Sequence, residues 1–303
     1  MANVPFGYVC RMLQLQLIAL YEYVCQCYDT HPDLHTHRRS NNYCPDFTDQ
    51  ELMTIYLFGL IEQRFTLKQT HKYIGNHWAG WFPKLPSYQA VNNRINAISD
   101  HFLPLIEGLV GQLRRMPALT DVRLTDSLPI ILSKRPICAR VATDLADRGF
   151  CATKNLYYHG LKLHLIAVDR LHQMPLPDRF QFTKASVNDL TALRAELPYL
   201  PPGCLVGDKA YGSLPLREQL EADQQLSLCT PVKLKKGQKR LDSADKGYSI
   251  YVSRMRQPIE SLFNWLIEKT QIQSGSKIRS EKGAFVHCLG RLAAGLYIML
   301  FNS

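Results

Sequence analysis

The chain has 303 residues, and its 36 Lys and Arg against 26 Asp and Glu give a formal net charge of +10 at pH 7. Hydrophobic residues make up 46% and charged residues 20%, as in globular proteins, so disordered and fibrous classes are excluded. The apolar run at 292–301 is too short to span a bilayer, and no cleavable basic and apolar segment opens the chain. We therefore expect a soluble, cytoplasmic protein with one large or two modest domains.

The positive charge is concentrated in the second half of the chain. Residues 1–117 carry 10 Lys and Arg and 9 Asp and Glu, whereas residues 233–291 alone carry 13 basic and 5 acidic residues. Such a segment attracts polyanions, and nucleic acid is the natural candidate; a solvated surface face is the alternative. The near-neutral first half argues against strong phosphate contact by that half alone. No amphipathic basic helix ends at an anchor, so no membrane partner is expected.

Residues 1–117 are predicted to form an all-α N-terminal domain. Apolar residues recur at helical spacing within 10–29, and Thr48 with Glu51 has the pattern of a capping box at the start of a second helix. Further helices are predicted at about 66–78 and 87–113. The helix, turn and helix that end in Asn92, Asn93 and Arg94 form either a groove-reading, helix-turn-helix unit or a helical scaffold without DNA contact.

Six potential metal ligands lie within twenty residues of this N-terminal part. The nine cysteines include no Cys-x-x-Cys pair, which fits reduced thiols. A Cys-x-Cys pair is not the usual zinc spacing, and both of its cysteines continue an apolar helix in which they can simply pack. A metal site and a packing role therefore both remain open for this cluster, which comprises Cys25, Cys27, His31, His35, His37 and Cys44.

From residue 118 to 303 the pattern changes to strands and helices. Strands are predicted at 122–132, 157–168, 179–184, 204–206 and 226–232 because these segments are rich in β-forming residues. Helices are predicted after Asn188, near 214–224, from about 254 to 270 and from about 283 to 301. Strands in hairpin-like succession, followed by strand and helix alternation, indicate a mixed sheet with helices on both faces.

Three acidic residues are the candidates for chemistry, since phosphate-binding loops, nucleophile elbows and zinc-binding helix motifs are absent from the sequence. Asp126 lies inside an apolar strand, Asp208 ends another strand, and Glu260 stands in a predicted helix. A carboxylate in a core strand is costly to bury unless a partner such as a divalent metal compensates it. Two strand carboxylates and one helix carboxylate can hold two Mg²⁺ ions for attack on a phosphodiester.

Each acid also has a local explanation. Asp126 can cap a turn before Pro129, Asp208 can bind backbone amides at its glycine turn, and Glu260 can pair with Arg256 one helical turn before it. The combination of all three acids with the basic segment 233–291 favours the catalytic interpretation.

Four sequence strings carry a resemblance to a known family. They are Thr-Asp-Ser-Leu-Pro at 125–129, Tyr-His-Gly-Leu-Lys-Leu-His at 158–164, Gly-Asp-Lys-Ala-Tyr at 207–211, and Arg-x-x-Ile-Glu-x-x-Phe at 256–263. In this order they resemble bacterial insertion-sequence transposases with an Asp-Asp-Glu active site. The resemblance implies an α/β fold, with a ribonuclease H-like mixed sheet flanked by helices in 118–303. It also implies that Asp126, Asp208 and Glu260 bind two Mg²⁺ or Mn²⁺ ions.

The resemblance implies DNA as the partner, both as terminal inverted repeats and as target, with the chain acting as a homodimer near the nucleoid. The expected reaction is cleavage at transposon ends followed by transfer of the 3′-hydroxyl strand. A metal-dependent nuclease on the same fold and a non-catalytic, transposase-derived DNA-binding protein are the alternatives. Eight cationic residues are predicted to contact DNA: Arg256, Lys162, Lys209, Lys233, Lys235, Lys236, Lys239 and Arg240.

Overall fold

A computed structural model describes residues 6–37, 46–117, 119–135, 140–151, 154–234, 237–238 and 240–301. The α-helices are α1 (Phe6–Thr30), α2 (Asp49–Ile61), α3 (Leu67–His77), α4 (Tyr88–Ala97), α5 (Phe102–Leu113), α6 (Asp189–Glu196), α7 (Leu214–Gln224), α8 (Ser243–Thr270) and α9 (Glu281–Phe301). The β-strands are β1 (Leu119–Ser133), β2 (Asp147–Cys151), β3 (Leu156–Arg170), β4 (Gln173–Lys184), β5 (Gly203–Val206) and β6 (Leu226–Cys229).

The chain divides into two compact units. The first comprises residues 1–109, 269–272 and 282–303, and the second comprises 110–268 and 273–281. The described elements of the first unit are helical, and the strands belong to the second. This division assigns most of α9 to the helical unit, whereas the sequence interpretation placed it in the domain 118–303. The boundary between two domains at 117 and 118 stays a prediction.

The first unit packs around apolar helix faces. The helical spacing predicted for α1 from Leu13, Leu17, Leu20 and Val24 is confirmed, because the last three are buried and Leu13 is half-buried. The predicted capping box is also present. The Thr48 hydroxyl accepts a hydrogen bond from the Glu51 backbone N–H at 3.1 Å, and the Glu51 carboxylate accepts one from the Thr48 N–H at 2.6 Å. Both bonds satisfy amides that the helix start leaves free, and they define where α2 begins.

The single helix predicted at 87–113 is wrong, because the chain forms two helices there. α4 ends at Ala97, a short 3₁₀ turn occupies Ser99–His101, and α5 begins at Phe102. Pro104 supplies the physical reason, since proline has no N–H to donate to the carbonyl four residues earlier and its ring crowds that turn. Proline is tolerated in the first turn of a helix, where α5 places it.

Helix α9 is the one described helix that is long and apolar enough to cross a membrane by length and composition. In the structure, 78% of the most apolar 18-residue stretch of this helix is buried inside the protein. It carries a buried arginine, Arg291, which donates to the backbone carbonyls of Phe65 and Thr270 and to the ring of His287. These are the features of a core helix.

The second unit is built on one mixed sheet of six strands flanked by helices. Its strand order is β2-β3-β1-β5-β6, and β4 pairs with β3 beside β2. β3 is antiparallel to β1, β2 and β4, whereas β5 is parallel to both β1 and β6. The predicted mixed sheet is confirmed. Strand β2 was not predicted, because Asp147 and Gly149 have low intrinsic strand preference. Hydrogen-bonded pairing with β3 stabilises the strand there.

Helices α6 and α7 pack on the sheet through a buried apolar cluster that includes Leu193, Leu205, Leu220 and Leu228. Helix α8 is longer than predicted, since it begins at Ser243 rather than near residue 254. Its extra turns contain Gly247 and several β-branched or aromatic residues, which individually disfavour helix. Val252 is 1% exposed and packs inside the protein, whereas Tyr248, Ile250 and Tyr251 of the same turns are exposed.

Candidate active site

Asp126 and Asp208 are brought together by the parallel pairing of β1 and β5. Leu124 of β1 lies opposite Val206 of β5, and each aspartate stands two residues further along its own strand direction. Side chains two residues apart point to the same face of a sheet. The pairing therefore carries both carboxylates past the carboxyl end of β5 on one face of the sheet.

A tight turn holds Asp208. Its Oδ1 accepts a hydrogen bond from the backbone N–H of Ala210 at 2.6 Å, which caps the short 3₁₀ turn Lys209–Tyr211. A side chain at Gly207 would not fit here, because a Cβ atom would lie 2.9 Å from the ring of Tyr211 and 3.1 Å from Thr125. Tyr211 is 1% exposed and packs against this glycine, so it is a supporting residue that the sequence analysis did not single out.

Helix α8 contributes Arg256 and Glu260 to the same site. The Arg256 Nη2 atom lies 2.9 Å from Asp126 Oδ2 and 3.3 Å from Glu260 Oε1. Arg256 and Asp126 are 16% and 19% exposed in their side chains, whereas Glu260 is 56% exposed. One guanidinium group therefore bridges a strand carboxylate and a helix carboxylate that are 134 positions apart in sequence.

Electrostatics at Asp126 show that its carboxylate is under-compensated. Burial raises the pKa of Asp126, the Arg256 guanidinium and the Ser127 backbone N–H oppose the rise, and the nearby Asp208 carboxylate adds to it. Like charges disfavour the ionised form when they lie within a few ångströms in a site of low dielectric constant. The site therefore combines crowded negative charge with a single bridging cation.

Two of the local roles that the sequence suggested are observed, since Asp208 caps its turn and Glu260 pairs with Arg256. The turn suggested before Pro129 is absent because β1 continues to Ser133, and Asp126 instead accepts from the Ser127 backbone N–H within the strand. Among the described residues, no group of three or more His, Cys, Asp or Glu side chains is close enough together to bind a metal ion as it stands. The donor chemistry nevertheless fits Mg²⁺ or Mn²⁺, because the three acids offer only carboxylate oxygens and Asp126 lacks full compensation of its charge.

The predicted DNA-contact residues occupy different settings. Lys209 is exposed next to Asp208, Lys233 is exposed and donates to the Gly212 carbonyl at 2.9 Å, and Arg240 is exposed. Lys162 is 16% exposed in its side chain, and its amine donates to Val187 O at 2.9 Å and to Asp189 at 3.1 Å. Three further predicted contacts lie outside the described residues: Lys235, Lys236 and Lys239.

Lys162 is also on the other face of the sheet from Asp126. Leu165 of β3 lies opposite Asp126, and Lys162 is three positions before Leu165. An odd separation along a strand reverses the face. The sequence motif around Lys162 suggested that this lysine lies near Asp126, but it did not indicate which face of the sheet the lysine occupies.

The Cys and His cluster of the helical unit is only partly described. On α1, the Cys27 sulfur lies 3.9 Å from His31 Nδ1, and that ring nitrogen lies 2.8 Å from the Cys27 carbonyl. The His35, His37 and Cys44 side chains lie outside the described residues. Cys25 and Cys27 are half-buried free cysteines, so the packing role of this helix has structural support while the metal role stays a prediction.

Comparison with known proteins identifies the second unit. The family model described as a transposase DDE domain matches residues 117–280, which is more than half of the chain and includes all three acids and Arg256. The chain belongs to this family of transposases. A comparison with curated proteins finds no matching sequence.

Proposed function

We propose that this chain is a DNA transposase that cleaves transposon ends and transfers the 3′-hydroxyl strand into target DNA. The proposal is supported by the contact of Arg256 on α8 with both Asp126 and Glu260, and by the pairing of β1 with β5 next to Asp126 and Asp208, in a chain of the transposase DDE family. A ribonuclease H-like fold of 118–303 and an origin in a bacterial insertion sequence belong to the same proposal.

Asp126, Asp208 and Glu260 are the residues that would hold divalent metal. Two Mg²⁺ or Mn²⁺ ions bound to such carboxylates supply an activated hydroxyl or water and stabilise the leaving oxygen of a phosphodiester. The chain's own contribution is to hold the ligands. The Ser127 and Ala210 backbone N–H groups orient one oxygen of each aspartate, and Arg256 holds positive charge beside Asp126.

DNA is the proposed partner, as terminal inverted repeats and as target. Lys209, Lys233 and Arg240 are exposed cations of the second unit that would contact phosphates. Cleavage and joining at two ends require two active sites in one complex, so a homodimer on paired ends is proposed. The protein would act in the cytoplasm, at the nucleoid.

The test is a cleavage and joining assay with purified full chain, Mg²⁺ and labelled duplexes from the sequences that flank the coding region. We expect D126N to reduce strand cleavage to background while retaining DNA binding, because the change removes the ligand charge and keeps the side-chain shape. The matched control is D121N, which makes the same chemical change at an exposed position of the same strand and should cleave like the wild type.

The products distinguish the proposal from its alternatives. Joined strands support a transposase, whereas cleaved strands without joined products would support a metal-dependent nuclease. DNA binding without cleavage by the wild type would indicate a non-catalytic, transposase-derived protein. Cleavage by D126N equal to that of D121N would contradict the assignment of Asp126 as a metal ligand.

A further inference from the structure

Within the described residues of the helical unit, several cations lie close together in sequence around α3. Residues 63–99 contain five Lys and Arg and no Asp or Glu, although residues 1–117 as a whole are nearly neutral. Two of these five cations are already paired: Lys84 lies 2.7 Å from Asp46, and Arg94 binds the buried Asp49 through two nitrogens. The remaining three cations are Arg64, Lys68 and Lys72, and the charge of Arg64 acts on the neighbouring Glu62 carboxylate.

These three residues lie in the turn before α3 and on α3 itself, and all three are exposed. Arg64 stacks over the ring of Tyr73 with its guanidinium carbon 4.9 Å from the ring centroid. The side that α3 turns to the protein is different in character, since Thr70 and Ile74 are 2% and 0% exposed. Helix α3 therefore has an exposed face that is cationic and polar, and an opposite face that is buried in the protein.

The outer side of α3 also carries polar side chains of the types that can contact base edges. Gln69, Lys72, Tyr73 and Asn76 follow the spacing of one helical face, and Gln69 Oε1 already accepts hydrogen bonds from Thr66 in the capping box of α3. Arg64, Lys72 and Asn76 border one open depression of about 280 Å³. Amide side chains bind adenine edges and cations bind guanine edges or phosphates, and an α-helix fits the major groove of B-form DNA.

The close packing of α2 against α3 fixes the position of this face. A Cβ atom at Gly59 of α2 would lie 2.2 Å from the Thr70 Oγ1 atom, so the two helices approach through a glycine. The Thr70 hydroxyl donates to the Arg64 carbonyl at 3.1 Å and ties the turn to α3. A short turn between two tightly packed helices is the arrangement that presents a second helix to a groove.

Helix α4, for which the sequence left a groove-reading role and a scaffold role open, is a weaker candidate. Its cation, Arg94, is held by Asp49 and so is not free for phosphate or base contact. Val91 and Ile95 are each 1% exposed, and they pack α4 into the unit. The exposed amides of α4 are Gln89 and Asn93, and the helix carries no cation besides Arg94.

We infer that α3 is the helix that reads DNA sequence in the major groove, with Asn76 contacting a base edge and Lys68 and Lys72 contacting phosphates or guanine. The inference rests on the proposed function for its ligand, duplex DNA of the transposon ends. It assigns sequence recognition to the helical unit, whose overall neutral charge results from acids that lie outside residues 63–99.

The test uses the full chain in EDTA, where cleavage does not interfere, and duplexes selected by the wild type from a random-sequence pool. We expect N76A to bind the selected duplex roughly 5- to 150-fold more weakly while its binding to unselected duplexes is unchanged. K72A should weaken binding to both and lower the slope of log affinity against log salt by about one. N93A, the matched amide variant on α4, should bind like the wild type.

Several outcomes would overturn the inference. They are wild-type affinity of N76A for the selected duplex, loss of sequence preference in N93A, and failure of the wild type to enrich any sequence. Asn76 is exposed, so thermal unfolding of N76A should match the wild type and exclude misfolding as the cause of a loss. Cleavage of the same duplex in Mg²⁺ is scored separately, so the proposed reaction can fail while the reading helix stands, and the reverse.

Discussion

The buried histidine of α9 makes the stability of the helical unit depend on pH. His287 Nδ1 accepts a hydrogen bond from Arg291 Nε at 2.9 Å, so the ring proton is on Nε2 and is donated to the Ile272 carbonyl at 2.8 Å. Burial and the neighbouring Arg291 charge lower the pKa of His287 to about 3. A second ring proton would point at a guanidinium group inside the protein.

The sign and size of the effect follow from proton linkage. Between pH 6.5 and about 3 the unfolded chain binds a proton at His287 that the folded chain does not, so stability falls as the pH falls. With an unfolded pKa near 6.5, the loss between pH 7 and pH 5 is about 2 kcal/mol of unfolding free energy. This value hardly depends on how far below 5 the folded pKa lies.

The assay is urea unfolding of the wild type and H287Q at pH 5, 7 and 8. Glutamine can still accept from Arg291 and donate to Ile272, but it does not titrate. We expect the stability difference between pH 7 and pH 5 to be smaller in H287Q by about 2 kcal/mol. Burial also lowers the pKa of His164 to about 4, so the unfolding free energy of H287Q should still change with pH. The relevant quantity is therefore the difference between H287Q and the wild type. Equal slopes in both proteins would refute the reasoning, and the offset between them should be constant from pH 7 to pH 8.

Two further predictions concern the α2–α3 contact and the active site. Helix propensity alone predicts that G59A stabilises the protein by about 1 kcal/mol. The clash of the new methyl group with Thr70 should reverse this to a net loss of about 1–2 kcal/mol of unfolding free energy, measured by urea unfolding. A gain in stability would contradict the observed contact. R256Q should destabilise the second unit by about 1–3 kcal/mol at pH 7, because Asp126 loses its cation. That loss should shrink at acid pH, where the raised pKa of Asp126 allows protonation; a loss that does not change with pH would rule out the ion pair as its cause.

Much of the fold could be predicted from local patterns. The periodicity of α1, the capping box of α2, the strands β1, β3 and β5 and the start of α6 after Asn188 all depend on residues close together in sequence. The failures also have local explanations. A proline splits the helix predicted at 87–113, β2 forms against its own propensity, and α8 extends through residues that individually disfavour helix.

The candidate acids could be identified from the sequence because a carboxylate in an apolar strand is rare and costly. The strings around them also indicated the family that the match over residues 117–280 confirms. What the sequence by itself determined is therefore the family of the chain and the order of many of its elements. Both are properties of short segments, in which spacing and residue type carry the information.

Tertiary structure decided which charges are free and which side of an element they occupy. It placed Lys162 on the opposite face of the sheet from Asp126 and paired it with Asp189, and it bridged Asp126 and Glu260 with Arg256. It likewise paired Arg94 internally and left the cations of α3 exposed. The physical reason is that ion pairing and burial depend on residues distant in sequence, which net charge and periodicity do not report.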